Sequence, residues 1–203
     1  RSRPLAAADA LDGLRLRVVA RPLDAVAALA AVVVSIVTVV WPLFSTRYPP
    51  MTDLPMHAAH TSAFRHWFDA SYHFRDQFEL QPILVPYDSS YVLGALLMLV
   101  FGVTTAVKLA TAIMLLTLPF GLGVLFWGMR KSPLSGIFGL PFVWCDLTHW
   151  GFVNFVSAIG QFALVVGLAL RAVDKPSRRT SVALAVGLVV VFFTHIFRFP
   201  FAV

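Results

Sequence analysis

The residues best suited to chemistry begin with an aspartate that follows the first long apolar stretch. Asp53 stands in Pro-Pro-Met-Thr-Asp-Leu-Pro-Met-His, and His57 lies one helical turn after it. A carboxylate here could deprotonate a substrate hydroxyl or hold a divalent cation. The competing interpretation is structural, because Thr52 or Asp53 could cap a helix whose first turn takes Pro55.

Further polar residues stand within or at the ends of the later apolar stretches. They are Lys108, Asp146, His149, Asn154, His195 and Arg198. Ionisable groups at such depths are costly and usually line a cavity or pathway, so we expect them to converge on one site. The structural alternatives are a hydrogen bond between Asp146 and His149, and a lysine and arginine that extend to lipid headgroups. Phosphate binding is the functional alternative for the two cations.

Metal binding is a second use for some of these side chains. A hard divalent cation would prefer the carboxylates of Asp53 and Asp146, whereas zinc would prefer His57 and His60. Two histidines three residues apart are weak evidence for a metal unless a further ligand is placed near them. The sequence therefore leaves a divalent cation open as a cofactor.

The composition indicates the environment in which these residues work. The chain is 59% hydrophobic and 13% charged, which predicts an all-α, polytopic transmembrane helix bundle and excludes an ordinary soluble domain. The net charge is +6, but the basic residues cluster beside apolar runs, as orientation signals do. Lipid headgroups are thus the expected acidic partners, and nucleic acid is not expected. The single cysteine, Cys145, is interpreted as a packing residue.

Charge placement predicts the topology of a single membrane domain. The expected segments are a cytoplasmic basic segment at 1–24, a span at 25–44, an outer loop with interfacial helices at 45–104, and spans at 105–127, 134–149, 153–170 and 182–199. This arrangement puts the N-terminus and both later basic loops in the cytoplasm, as the positive-inside rule requires. We expect five crossings of a bacterial cytoplasmic membrane, in a piece of a longer chain.

Two segments of the outer loop are expected to lie along or within the membrane without crossing it. From Met56 to Ser71, apolar residues recur every three or four positions, which predicts an amphipathic surface helix. The segment from Tyr91 to Val103 is apolar, yet a crossing there would place the basic loops outside. We therefore expect it to be embedded but not spanning.

This order of elements resembles the N-terminal module of the GT-C fold of integral-membrane glycosyltransferases. The resemblance rests on a basic N-terminus, one span, an aspartate a few residues past it and a surface helix behind. It implies that Asp53 is a catalytic base or metal ligand, that Asp146 is a second acidic position, and that the donor is a polyprenyl-phosphate sugar. The catalytic candidates are Asp53, His57 and Asp146, and the substrate-binding candidates are Lys108, His149, Asn154, His195 and Arg198.

Two other classes of function compete with an enzyme. A non-catalytic subunit of a larger membrane complex would use the same spans for packing and the aromatic-rich outer loop for a partner. A transporter would be expected to carry charges near the membrane midplane and broken helices there. Here the polar residues gather at span ends, so the transporter ranks last.

Overall fold

A computed structural model describes residues 22–80 and 86–201, in which every regular element is helical. The α-helices are α1 (Pro22–Phe44), α2 (Leu54–Arg65), α3 (Phe74–Gln77), α4 (Ser89–Leu97), α5 (Val103–Gly128), α6 (Asp146–Trp150), α7 (Val153–Asp174) and α8 (Arg178–Thr194), and the 3-10 helices are Ala70–Tyr72, Pro133–Phe142 and Ile196–Phe201. The chain divides into two compact units after Val34. Residues 22–34, in the first unit, are continuous α-helix, and residues 35–80 and 86–201 belong to the second. Most of the predicted cytoplasmic segment, residues 1–21, lies outside the described residues.

Three helices in the described part of the chain are long and apolar enough to cross a membrane. They are Leu23–Phe44, Val103–Gly128 and Val153–Asp174. A hydrocarbon core about 30 Å thick needs about twenty residues of α-helix. The bilayer is therefore the environment that this composition and these helix lengths favour.

Two other predicted spans have a different local structure. Residues 134–149 do not form one helix, because a 3-10 helix over Pro133–Phe142 gives way to the short helix α6. Prolines and glycines in this segment disfavour a regular α-helix. Helix α8, which covers part of the predicted span at 182–199, has 17 residues. Helix α4, which covers part of the segment 91–103 that is predicted to be embedded, has nine. The crossing of residues 134–149 and 182–199, and the embedding of 91–103, stay predictions.

Helices α5 and α7 pack closely through glycines. A Cβ atom on Gly121 would overlap the Gly160 carbonyl, and one on Gly128 would lie 2.5 Å from the Gly167 oxygen. Gly121 and Gly128 are seven residues apart on α5, and Gly160 and Gly167 are seven residues apart on α7. This spacing keeps the small residues on facing sides of the two helices. Because the paired positions advance together along the two helices, α5 and α7 run parallel.

A parallel pair needs a connection that returns along its length, and the segment after α5 supplies it. Gly136 packs against the backbone of Gly123 and Pro119. Gly139, later in the chain, packs against the backbone of Pro119, which lies one turn before Gly123 on α5. The 3-10 helix therefore runs antiparallel to α5. It delivers α6 to the end of the bundle at which α5 begins.

The opposite end of the bundle is basic. Arg130 forms a two-point ion pair with Asp174, with both nitrogen–oxygen distances 2.8 Å, and the Arg171 guanidinium lies 4.3 Å from the Trp127 ring centre. We call this the basic end. The loops after α5 and after α7 thus lie at the same end of the bundle.

Helix α8 and the second half of α1 complete the bundle. Gly187 of α8 packs against side chains in the middle of α7, and the end of α8 returns to the start of α4, where Ser89 and Thr194 share a hydrogen bond of 2.9 Å. The Trp144 indole N–H donates to the Thr38 carbonyl at 2.8 Å. The apolar core that these elements enclose includes the fully buried Val39, Leu43, Leu115 and Val143.

The glycine contacts between α5 and α7 predict the effect of adding one methyl group. Gly160→Ala should lower the free energy of unfolding by about 1–3 kcal/mol, because its Cβ would overlap the Thr117 carbonyl of α5. Gly102→Ala is the matched control, since no described atom lies within 4 Å of a Cβ there. Thermal unfolding in detergent micelles measures both variants. Equal midpoints for the two would contradict the packing.

Candidate functional site

The loop that carries Asp53 is fixed to the segment that follows the 3-10 return. The Thr52 N–H donates to the His149 carbonyl at 2.9 Å, and the Asp53 N–H donates to the Trp150 carbonyl at 3.2 Å. Gly151 ends α6 with φ of 99°, a left-handed conformation that favours glycine. A Cβ atom there would also lie 2.7 Å from the Asp53 Cβ atom. Residues almost a hundred positions apart in sequence therefore meet at one place.

Asp53 occupies the N-cap position of α2, but its side chain does not cap the helix. Within the described part of the chain, the carboxylate accepts no capping hydrogen bond, and the backbone is right-handed rather than extended (φ −92°, ψ −2°). A capping side chain usually accepts from the second or third helical N–H. The second position here is Pro55, which has no N–H. The capping interpretation of this carboxylate is thus wrong, although the helix does begin where the sequence predicts.

His57 bridges the Gly151 backbone and a tyrosine of α4. Its Nε2 lies 3.2 Å from the Gly151 carbonyl oxygen, and its Nδ1 lies 3.1 Å from the Tyr91 hydroxyl. A carbonyl only accepts, so Nε2 carries the proton, and in the neutral ring Tyr91 donates to Nδ1. Burial lowers the pKa of the His57 imidazole below its ordinary 6.5, partly offset by the Gly151 carbonyl and the Asp53 carboxylate. The neutral imidazole is therefore the form favoured near neutral pH.

Tyr91 stays a phenol in this environment. Burial raises the pKa of its hydroxyl, and the negative charges of Asp88 and Asp53 raise it further. Burial also raises the pKa of the Asp88 carboxyl. Two carboxylates thus act on one tyrosine, and both oppose the ionisation of its hydroxyl. The His60 ring meets the Tyr91 ring edge-on at a centroid distance of 5.7 Å.

A small cavity lies beside His57 and Tyr91. Its walls are His57, Thr61, Ser90, Tyr91, Val107, Ala110, Thr111, Met114, Val153 and Asn154. Its volume is about 20 Å³, which is room for a water molecule. Ser90 Oγ and Asn154 Oδ1 are buried, and neither has a hydrogen-bond partner among the described residues. The residues that line the cavity therefore include two whose buried side-chain oxygens lack partners in the described structure.

Asn154 joins this cavity to a second cluster, at the end of α8. The Asn154 amide donates to the Tyr87 carbonyl at 3.3 Å, and the Tyr87 ring meets the His195 ring edge-on at 4.9 Å. The ring centroids of Phe155 and His195 are 5.3 Å apart. The Arg198 guanidinium carbon lies 4.7 Å from the Phe155 ring centroid. We call the end of the bundle that contains the Asp53 loop, this cavity and this cluster the site end.

Of the pair Asp146 and His149, His149 contacts the loop that carries Asp53, and it does so through its backbone. Both side chains are exposed, and the His149 ring bonds to the Cys145 carbonyl at 3.0 Å rather than to Asp146. The hydrogen bond between the two side chains, which was the structural alternative, is thus absent from the described structure. His149 contributes the carbonyl that holds Thr52.

Lys108 has a structural partner. Its side chain is 6% exposed, and its ammonium donates to the Thr46 carbonyl at 2.6 Å and lies 5.4 Å from the Phe44 ring centre. Within the described residues, no carboxylate forms an ion pair with it. The ammonium therefore fixes the chain just after α1 instead of extending to a headgroup.

A divalent cation at Asp53 and Asp146 stays a prediction. Among the described residues, no group of three or more histidine, cysteine, aspartate or glutamate side chains could hold a metal ion. Both nitrogens of His57 already have partners in Tyr91 and Gly151, which opposes a zinc site with His60. No catalytic step here is assigned to a cation.

Several residues of the site end were not singled out by the sequence: Tyr87, Asp88, Ser90, Tyr91 and Gly151. The first four belong to a short polar run, Tyr-Asp-Ser-Ser-Tyr, that opens an apolar helix. That run is a signal that could have marked them. Tyr87 has φ of 82°, an uncommon conformation for a residue with a side chain.

The chain matches no protein-family model, no curated protein and no solved structure.

The lowered pKa of His57 predicts how stability depends on pH. The unfolded chain takes up the proton first as pH falls below 6.5, so the stability that neutral His57 supplies is fully present above 6.5 and lost progressively below it. The stability advantage of the native protein over His57→Gln should therefore shrink on acidification. Thermal unfolding of both proteins between about pH 5 and pH 8 measures it. An advantage that grew in acid would contradict the buried neutral imidazole.

Proposed function

We propose that this protein is a membrane glycosyltransferase that transfers a sugar from a polyprenyl-phosphate donor, with Asp53 as the general base. The observation that carries the proposal is the Asp53 carboxylate itself. It stands at a helix start without a capping bond among the described residues, on a backbone held by the carbonyl of Trp150. A fixed carboxylate that has no structural use there is the type of group that proton abstraction requires.

The proposed step is a single displacement at the anomeric carbon. The acceptor oxygen gives its proton to the Asp53 carboxylate and forms a bond to the sugar carbon. The bond between that carbon and the phosphate oxygen breaks, and polyprenyl phosphate leaves with the electron pair. Neutral His57 and Tyr91, joined by their 3.1 Å hydrogen bond, would shape the acceptor side of the site without competing for its proton.

Arg198 is the better candidate for the phosphate of the donor. Its Nε is buried without a hydrogen-bond partner in the described structure, and its guanidinium lies over Phe155. A guanidinium offers two parallel donors to phosphate oxygens. Lys108, which the sequence suggested for the same role, already donates to Thr46. In this proposal Lys108 supports the fold and Arg198 contacts the leaving group.

The membrane orientation belongs to the same proposal. The basic end collects Arg130 and Arg171, and the site end lies at the other end of α5 and α7. Positive loops are retained in the cytoplasm. The site end would then face outward, which is the side on which the proposed transfer from a lipid-linked sugar would take place.

A non-catalytic subunit is the second candidate, and the small cavity favours it. A volume of about 20 Å³ holds a water molecule and not a sugar ring. The enzyme therefore requires the acceptor and donor to bind largely over the surface of the site end, around the exposed Asp146 and His149. The subunit would need no such binding.

Asp53→Asn separates the two candidates. The side chain makes no capping bond in the described structure, so the amide should leave the unfolding midpoint almost unchanged. Loss of a positioned general base should reduce transfer by about 10²–10⁴-fold. Purified protein in vesicles, supplied with polyprenyl-phosphate-linked hexoses and pentoses and a sugar acceptor, provides the assay.

Asp76→Asn is the matched control for this experiment. It makes the same change in an exposed residue of the same loop, where Asp76 only pairs with His73. Transfer should be retained in the control and lost in Asp53→Asn. Undiminished transfer by Asp53→Asn would show that Asp53 is not the general base. Absence of transfer by the unmutated protein would favour the non-catalytic subunit.

A further inference from the structure

Two buried polar atoms in the cavity wall indicate that the cavity has an occupant. Ser90 Oγ and Asn154 Oδ1 are shielded from solvent and have no partner among the described residues. Leaving such a group without a hydrogen bond costs about 1–3 kcal/mol. Both residues line the same cavity. We infer that their unpartnered oxygens face it, where a bound group could supply the hydrogen bonds that they lack.

The Asn154 oxygen calls for an occupant that donates a hydrogen bond, and the Ser90 hydroxyl can pair with a donor or an acceptor. The Asn154 amide nitrogen donates to the Tyr87 carbonyl, which leaves Oδ1 as an acceptor. The Ser90 hydroxyl can donate. An alcohol hydroxyl satisfies both at once, because it donates its own hydrogen and accepts another. A carbonyl group could only accept.

We propose that this cavity is a binding site for one neutral hydroxyl group of a sugar, which donates to Asn154 and accepts from Ser90. The hydroxyl chemistry follows from the cavity alone, and its assignment to a sugar rests on the proposed function. Ser90 and Asn154 are then positioning residues, which fix the orientation of the sugar ring against the Asp53 loop. A water molecule takes the same place when no sugar is bound.

Size and charge oppose a phosphate or a cation as the occupant. A phosphate is larger than the single water that a volume of about 20 Å³ admits. It would also meet the charges of the Asp53 and Asp88 carboxylates, which act on Tyr91. A cation would have to leave water for walls that include Val107, Met114 and Val153, which is costly for any ion. A neutral group avoids both costs.

The position of the cavity connects it with the proposed phosphate site. Ser89, the neighbour of Ser90, bonds to Thr194 at the end of α8, and Arg198 follows in the next helix. Asn154 precedes Phe155, the ring under the Arg198 guanidinium. A sugar hydroxyl in the cavity is therefore held by the same two short segments that place Arg198.

Thermal unfolding of the full chain in lipid nanodiscs tests the proposal. The probes are the methyl glycosides of glucose, mannose and galactose at rising millimolar concentrations, with inorganic phosphate as the charged comparison. At least one glycoside should raise the unfolding midpoint in a saturable way. Ser90→Ala and Asn154→Leu should each weaken its apparent affinity about tenfold or more, because a buried partner is lost.

Ser181→Ala is the matched control, since its hydroxyl bonds to the Ser177 carbonyl at the start of α8 and Ser181 does not line the cavity. It should keep the native response. If Asn154→Leu fails to fold, Ser90→Ala alone decides, because it removes one small hydroxyl. The proposal is overturned if no glycoside raises the midpoint, if both variants keep the full response, or if phosphate gives the same response.

The same experiment is independent of the proposed catalytic step. Asp53→Asn should keep the glycoside response while losing transfer. A glycoside response without sugar transfer in the unmutated protein would support the hydroxyl site and contradict the proposed transferase activity. Sugar transfer without a glycoside response would support the transferase activity and contradict the hydroxyl site.

Discussion

Two backbone hydrogen bonds between the loop before α2 and the end of α6 are the contact on which the site depends. They join Thr52 to His149 and Asp53 to Trp150, and they require the left-handed turn at Gly151 that lets the Asp53 backbone approach. The position of His57 follows, since its ring bonds to the Gly151 carbonyl. The cavity wall follows in turn, because His57 holds Tyr91. One glycine therefore supports the geometry of the whole group.

The glycine-paired helices α5 and α7 explain why this contact can form. Parallel neighbours of similar length cannot be joined by a short loop, so the chain must travel back along α5 before α7 begins. The return segment packs Gly136 and Gly139 against α5 and ends in α6, beside Asp53. The same arrangement gathers Arg130 and Asp174 at the far end. Packing in the middle of the bundle thus separates a basic end from a site end.

The sequence allowed the coarse architecture and some of the site to be predicted. Apolar length predicts helices able to span a membrane, and Pro55 marks the start of α2, because both follow from local chemistry. The partners of Thr52 and Asp53 could not be predicted, since two backbone carbonyls leave no trace in residue types. Tyr91 was counted only as part of an apolar segment, because its bond to His57 depends on how α4 packs against α2. Local patterns reveal elements, whereas contacts between distant elements require the fold.

The most direct test of this account is a disulfide between the two segments that it places together. Thr52→Cys and His149→Cys, combined in a protein with Cys145→Ser, should cross-link readily under mild oxidation, because their backbones are joined by a hydrogen bond of 2.9 Å and both side chains are exposed. Thr52→Cys with Lys175→Cys, at the basic end, should not cross-link. Efficient linking of the first pair alone is the predicted result. A first pair that stays reduced, or that links no faster than the second, would contradict the site.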